Sequence, residues 1–464
     1  LTLAGVLFCG LAEAKNGLAV FDAAPVAPPP SAPRPFDIVG LLEDAQVDLG
    51  NLAGTCATAT DNRLAGGSAK INGISIVIPC NTVVQMPATA ISWSDLFYLN
   101  PGPGATRPQT GLALKDSDVP AIPAGSPYNS VLPSYEVHIQ GNIVEGRYIA
   151  GLVFVSQELA NSGQGTIAAI DYKNAQLLIK NDKSNELIRV RINDPIGRFG
   201  KVHTSIDNPQ ADAVLEEGYD PRFTADTDNP TIRAVTGFPM CIPRSNPFDI
   251  NEGDDVQCPE SNRPRSPNCP SLPAELAGRV GFPPFTLPPM GRYCTQYVMA
   301  PPSSLTANCS GAQCPTDPTR QAPFEVGDFI TYSGTWKTAE DPNNNFQAYS
   351  YISAHTIVAN LGIYTAPGVK PVYVALEESL VGTNALPIAN LPQETTSLVH
   401  VEGFTTDPTR LVDIFMVDVN YATGAVKDRL IGTENPGLPP VVVRFRFRPA
   451  AGNFGPFTRD IRVV

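Results

Sequence analysis

Few residues in this chain have the type and spacing to do chemistry. Its four histidines, His138, His203, His355 and His400, each sit in or beside a strand-like pattern, far in sequence from a group that would make them a catalytic base. No Gly-x-Ser-x-Gly elbow, His-Glu-x-x-His pair, Walker loop or dinucleotide fingerprint occurs. Without a nucleophile–base or cofactor motif, no catalytic residue and no cofactor are assigned, and the chain is not expected to be an enzyme. Acidic clusters at Asp226-Thr227-Asp228 and Asp254-Asp255 offer the oxygen ligands calcium takes, but neither has EF-hand spacing. Solvated turns are the simpler reading, and no metal ligand is assigned.

The nine cysteines say more. None forms a Cys-x-x-Cys pair, which argues against a zinc ribbon or a dithiol redox centre and for disulfides in an oxidising compartment. Eight can pair: Cys56, Cys80, Cys241, Cys258, Cys269, Cys294, Cys309 and Cys314, with Cys9 left over. Connectivity stays open, although short loops favour near neighbours such as Cys56–Cys80 and Cys309–Cys314. A secreted, extracellular protein is expected. The net charge of −13 and the lack of a basic run exclude a nucleic-acid partner. Asn308-Cys309-Ser310 is the single N-glycosylation sequon, and Ser/Thr/Pro-rich loops suit O-linked sugar, so glycans are a candidate partner.

The elements that would position these groups are β-strands. Charged residues make up 17% of the 464, and there are 47 prolines, about twice the usual share. Helical patterns are short and broken by glycine. Gly66 to Ala88 reads as a hairpin around Asn72-Gly73. The 135–159 stretch gives two or three strands with turns at Gly141-Asn142 and Glu145-Gly146. Ile188, Val190 and Ile192 alternate with Arg189, Arg191 and Asn193, the period of a half-buried strand. Phe324-Glu-Val and the glycine and apolar run after it repeat the pattern begun at Tyr135-Glu-Val, which predicts a second barrel of the same type.

The expected class is all-β: tandem small β-barrel (OB-like) domains plus a C-terminal β-sandwich, with an extended N-terminal arm. The expected units are 1–35 (apolar arm and proline-rich spacer), 36–235 (first barrel), 236–323 (proline-rich insert dependent on its disulfides), 324–394 (second barrel) and 395–464 (sandwich). In the last unit Arg444, Arg446 and Arg448 face away from Phe445 and Phe447. Thr-Asp-Pro-Thr-Arg occurs at 316–320 and again at 406–410, where Asp before Pro starts a type I turn ahead of a strand. Trp93 and Trp336 are expected in the core.

The arm is the most informative feature. Leu3, Val6, Leu7, Phe8, Leu11, Leu18, Val20 and Phe21 are too many apolar side chains to leave in water, and the run is too short for a membrane span. Ala24 to Pro35 reads as a polyproline II spacer that holds the arm away from the body. This layout resembles the donor strands of chaperone–usher pilins and other extracellular fibre subunits. The body's GNIVEGRYIAGLVFVSQ and TGFPMCIPR…CPESNRP stretches resemble uncharacterised secreted β-rich proteins. The first resemblance implies a structural subunit that polymerises head-to-tail with itself. The alternative is a secreted carbohydrate-binding or carbohydrate-active protein with a retained leader.

Overall fold

The computed structural model describes residues 34–48, 65–80, 82–87, 90–97, 110, 135–156, 162–181, 186–194, 196–201, 221–265, 292–299, 316–341, 347–384, 395–420, 425–436, 444–455 and 461–464. They are nearly all β, with only three 3-10 turns and no helix long and apolar enough to cross a membrane among them.

The first sheet holds β1 (Arg34–Val47), β2 (Gly67–Ile71), β3 (Ile74–Ile78), β4 (Val83–Gln85), β5 (Ala90–Ser92), β6 (Glu136–Val144) and β7 (Arg147–Ser156). β1 pairs with β2 and β6, β2 with β3, and β6 with β7. A parallel β3–β7 pairing then closes a five-stranded ring. The β2–β3 hairpin turns at Asn72 (φ 49°) and Gly73 (φ 77°), the left-handed pair of a type I′ turn. Glu145 and Gly146 do the same between β6 and β7. Gly141-Asn142 does not turn: β6 runs through it with a bulge between Gln140 and Gly141. Ile71, Ile76, Ile78, Val84, Trp93 and Ile139 fill this barrel, and Trp93 Nε1 donates to Gln46 O at 3.0 Å.

The second ring repeats the order. It uses β8 (Ser162–Asp171), β9 (Gln176–Lys180) and β10 (Leu187–Ile192), then, after a long insertion, β15 (Phe329–Asp341) and β16 (Gln347–Ala359). A parallel β10–β16 pairing closes it. β11 (Ile232–Ala234) extends it along β16. β12 (Met240–Cys241) pairs with β14 (Ala322–Pro323), and β13 (Gln296–Met299) with β17 (Gly362–Thr365). The strands that the sequence division assigned to 36–235 and 324–394 therefore share one sheet, with the cysteine-rich insert between its third and fourth ring strands. The insert lends the barrel apolar residues: Phe238, Met240, Ile242, Tyr297 and Met299 are buried in the same core as Phe324, Ile330 and Ile357. Phe248, Ile250 and Val256 of the insert are exposed, so the segment has little core of its own and relies on the barrel as well as on disulfides.

The C-terminal part comprises two three-stranded antiparallel sheets. One is β18 (Val374–Asn384), β19 (Thr395–Thr405) and β22 (Arg444–Phe447). The other is β21 (Ala425–Glu434), β20 (Val412–Asn420) and β23 (Ile461–Val463). Val399, Val401, Val412, Ile414, Met416, Phe445 and Phe447 share a core with Leu152 of β7. The boundary expected at 394/395 runs between the paired strands β18 and β19, and the one at Phe36 falls two residues inside β1.

The bulge in β6 has a counterpart in β15, between Ser333 and Gly334. A Cβ on Gly141 would lie 2.1 Å from Ile149 O and 2.8 Å from the Phe36 ring, and one on Gly334 would lie 2.3 Å from Ser353 O. Gly141→Ala is therefore expected to cost about 1–3 kcal/mol through overpacking against backbone. A urea midpoint unchanged by that substitution would show that the strands separate freely at the bulge.

Candidate functional site

Of the assigned assembly residues, Leu3, Val6, Leu7, Phe8, Leu11, Leu18, Val20 and Phe21 all lie outside the described residues. Cys241 and Cys258 form a disulfide, with 6.0 Å between Cα atoms. Cys80 and Cys294 are also disulfide-bonded. Cys56, Cys269, Cys309 and Cys314 lie outside the described residues, as do His203 and Asn308, so the suggested Cys309–Cys314 pairing and the Cys56 half of Cys56–Cys80 fall there too.

Each acidic cluster considered for calcium serves its own turn. Asp226 Oδ1 accepts the Asp228 and Asn229 N–H groups at 2.8 and 2.9 Å. Asp255 is held by Arg244 through two bonds of 2.9 Å, and Asp254 Oδ1 accepts the Glu260 N–H at 3.0 Å. The Thr-Asp-Pro-Thr-Arg copies form the same turn twice: Asp317 and Asp407 each accept the N–H and hydroxyl of the threonine two residues on. Arg320 and Arg410 pair with the aspartate of their own turn, at 3.6 and 3.1 Å.

His138 gains a partner that sequence distance hid. His138 Nε2 lies 2.6 Å from Asp37 Oδ1, across the β1–β6 pairing, and its ring stacks on Phe154. His355 is buried, and burial pushes its pKa down to about 4, so the ring is neutral. His400 lies 2.7 Å from Glu402, its neighbour on the same face of β19.

Glu402 is the hub of one ionic cluster. Register places Arg446 opposite it and Arg444 opposite Phe404. Arg444 Nη2 and Arg446 Nε lie 2.5 and 2.7 Å from its carboxylate, and Arg448 also bonds to it. Burial would raise the Glu402 pKa, but hydrogen bonds from His400 and Arg446 and the charges of Arg444 and Arg446 hold it down at about 2. The alternation of β22 showed the arginine face; nothing in the sequence named its partner. Glu378, His400 and Glu402 present atoms within 4.8 Å of one another, a metal-ligand set by type. Three guanidiniums already engage Glu402, and their charge opposes a cation.

A second cluster joins the insert to the second barrel. Arg263 grips Asp328 through two bonds of 2.7 and 2.8 Å and donates to Pro323 O. Glu325 is buried beside them. Burial raises its pKa to about 8, with Arg263 pulling down and Asp328 and Glu260 pushing up, so the group is protonated at neutral pH. Toward the surface, the Arg265 guanidinium lies over Tyr293 at 4.4 Å and Phe248 at 5.9 Å, and bonds Glu260 at 2.6 Å. Tyr172 meets Phe248 edge-on at 6.4 Å. Sequence reading missed this cluster: it assembles from five segments with no motif among them.

The third feature is a groove of about 320 Å³ where the first barrel meets the C-terminal sheets. It is lined by Phe36 and Pro35 of β1, Gln140 and Leu152, Leu380 and Val381 of β18, and Leu398 of β19.

No known protein family matches this sequence, no curated protein matches it, and no solved structure matches its fold.

Proposed function

We propose that the chain is a secreted structural subunit that polymerises head-to-tail into an extracellular filament by donating its N-terminal strand to a neighbour. The observation that carries this reading is a contrast between edges. Both five-stranded rings close through a parallel ladder, whereas among the described residues each C-terminal sheet has three strands, and its two outer strands pair on one side only. On outer strand β21 Val426 and Leu430 are 57% and 55% exposed, and on outer strand β18 Leu376 is 37% exposed. Such an edge takes an added strand through backbone hydrogen bonds, with apolar side chains setting register. We read the rings as OB-like barrels and the paired three-stranded sheets as a β-sandwich short of a strand. The eight apolar residues of the arm are the strand on offer, and a heterologous contact of this kind propagates into a filament unless it closes.

Deleting Leu1–Val26 tests this. Light scattering should then give monomers, and electron microscopy no filaments. Val6→Asp, Phe8→Asp and Leu11→Asp together should weaken assembly nearly as much. Filaments of unchanged symmetry from the truncated chain would sink the idea. Secretion carries its own check: intact mass after alkylation without reductant should show Cys80, Cys241, Cys258 and Cys294 unlabelled.

One observation favours a second reading, binding of carbohydrate. Arg265 between the exposed Phe248 and the half-buried Tyr293, with Glu260 beside it, combines aromatic rings with paired donors and acceptors, the composition a polyol requires. Glycan-array binding that disappears in Phe248→Ala would support it; an array without signal would remove it.

A further inference from the structure

Two strand edges border the groove without pairing to each other. The first residues of β1, Arg34 to Leu41, pair with β6 on one side, while β2 pairs with β1 only from Leu42 onward. On the exposed side of that stretch the Asn72 amide caps Val39 O, which leaves the edge open toward Arg34. Among the described residues β18 pairs with β19 alone. Between them the walls are apolar. Asp37 is the one charged residue in the lining, and it is held by His138 at 2.6 Å and Gln140 Nε2 at 3.1 Å. The other end of that amide, Gln140 Oε1, is shielded from solvent and has no hydrogen-bond partner. A groove of about 320 Å³ is about twice the size of a cavity that holds benzene, so it has room for two or three apolar side chains. Leu398, on its rim, is 45% exposed.

We propose that this groove is the acceptor site for the apolar N-terminal segment, residues 1–23, of a second copy of the chain, laid against the outer edge of β18. The inference rests on the strand-donation reading above and names the surface that receives the strand. Two or three of the segment's leucine, valine and phenylalanine side chains fill the recess, and a backbone N–H of the strand meets Gln140 Oε1. The place where the described chain begins decides between a chain's own segment and a neighbour's. Pro35 and Phe36 are themselves wall residues, so the segment leaves from the rim of its own groove. Ala24 to Pro33 holds five prolines in ten residues, and at about 3.1 Å per residue such a spacer carries the apolar stretch roughly 30 Å outward. Returning to the same rim would require reversing a stiff spacer, whereas the next subunit's groove lies in the direction of travel. Subunits of net charge −13 repel each other, which favours an apolar seat over surface ion pairs. β18 carries Glu377 and Glu378, but its stretch in the groove, Leu380 to Gly382, is uncharged, whereas on the competing edge, β21, Lys427 and Asp428 sit mid-strand and Asp428 is paired with Arg462 at 2.7 Å.

The test uses the full chain with Phe8 replaced by the photo-reactive amino acid p-benzoylphenylalanine, mixed with an equal amount of nitrogen-15-labelled chain so that links between copies are distinguished from links within one. Irradiation during assembly should join position 8 of one copy to peptides containing Leu380, Val381 or Leu398 of another. Leu398→Asp, at an exposed position that leaves the fold intact by circular dichroism, should cut that product at least tenfold, while Val426→Asp on β21 should not. Links between copies that map to β21 or elsewhere, with assembly still dependent on the arm, overturn this acceptor site and leave strand donation standing. Links confined to one chain overturn both.

Discussion

Replacing Asp328 with alanine is expected to cost about 3–5 kcal/mol, the scale of a buried ion pair broken on one side. The Arg263 and Asp328 side chains are 0% and 5% exposed, so the guanidinium left behind has no route to solvent. Burial works against its charge, and the Asp328 carboxylate more than offsets that, which keeps Arg263 ionised in the folded protein. Asp328 also accepts the Glu325 N–H at 2.9 Å, so its loss frees the turn that launches β15. The double variant Arg263→Met with Asp328→Leu removes both charges and should cost less than Asp328→Ala alone. Urea melts of the three proteins decide it. A single-variant loss below about 1 kcal/mol would mean that water reaches the pair. Because Arg263 belongs to the insert and Asp328 to the barrel, proteolysis around residues 242–265 should quicken in Asp328→Ala.

The parts of the fold legible in the sequence were those set by local rules. Asn72-Gly73 and Glu145-Gly146 turn where a left-handed pair of residues demands it. The likeness between the Tyr135 and Phe324 stretches marks the fourth and fifth strands of two rings with the same order, and in both the shared glycine sits at a bulge where the facing carbonyl leaves no room for a Cβ. The two Glu-Val openings are not equivalent: Glu136 begins β6, whereas Glu325, itself buried, lies ahead of β15 beside a turn whose Val326 is exposed. Long-range closure was hidden. Val190 meets Ile352 across more than 150 residues, and no local pattern shows that a proline-rich insert interrupts the barrel rather than following it.

The ionic sites were half legible for the same reason. Period two on β22 exposed the arginine face, whereas the pairing of His400 with Glu402, two residues on along the same strand face, went unread. Joining the two required the β19–β22 register, which depends on a pairing more than 40 residues apart. The Glu325 site was illegible because its members approach through tertiary packing alone. The apolar groove belongs to the same class, since its walls come from five strands of two sheets.

Glu325→Gln is expected to change the pH dependence of stability more than any other single substitution. An unfolded glutamate ionises above about pH 4.3, whereas folded Glu325 keeps its proton up to about pH 8. Between those values the folded state binds the extra proton, so this group makes stability fall as pH rises, and the loss levels off above pH 8. His355 acts in the opposite sense. Neutral when folded down to about pH 4 but protonated below about 6.5 when unfolded, it makes stability rise across that interval. The two slopes nearly cancel from about pH 4.5 to 6.5, leaving a plateau. From 6.5 to 8 Glu325 acts without that opposition, for a loss of about 2 kcal/mol. Glu402, held at about 2 when folded, stabilises above its unfolded value and loses that contribution as pH falls toward 2, which sets the acid limb. Glutamine keeps the shape of Glu325 without a proton to release. Its melts should rise from pH 4 to 6.5 and stay level to pH 9, with a gain over the parent of roughly 4–5 kcal/mol at pH 8.5. Thermal melts of both proteins in half-unit steps measure it, and parallel profiles would show that the Glu325 carboxyl is hydrated and ionises as an exposed glutamate does.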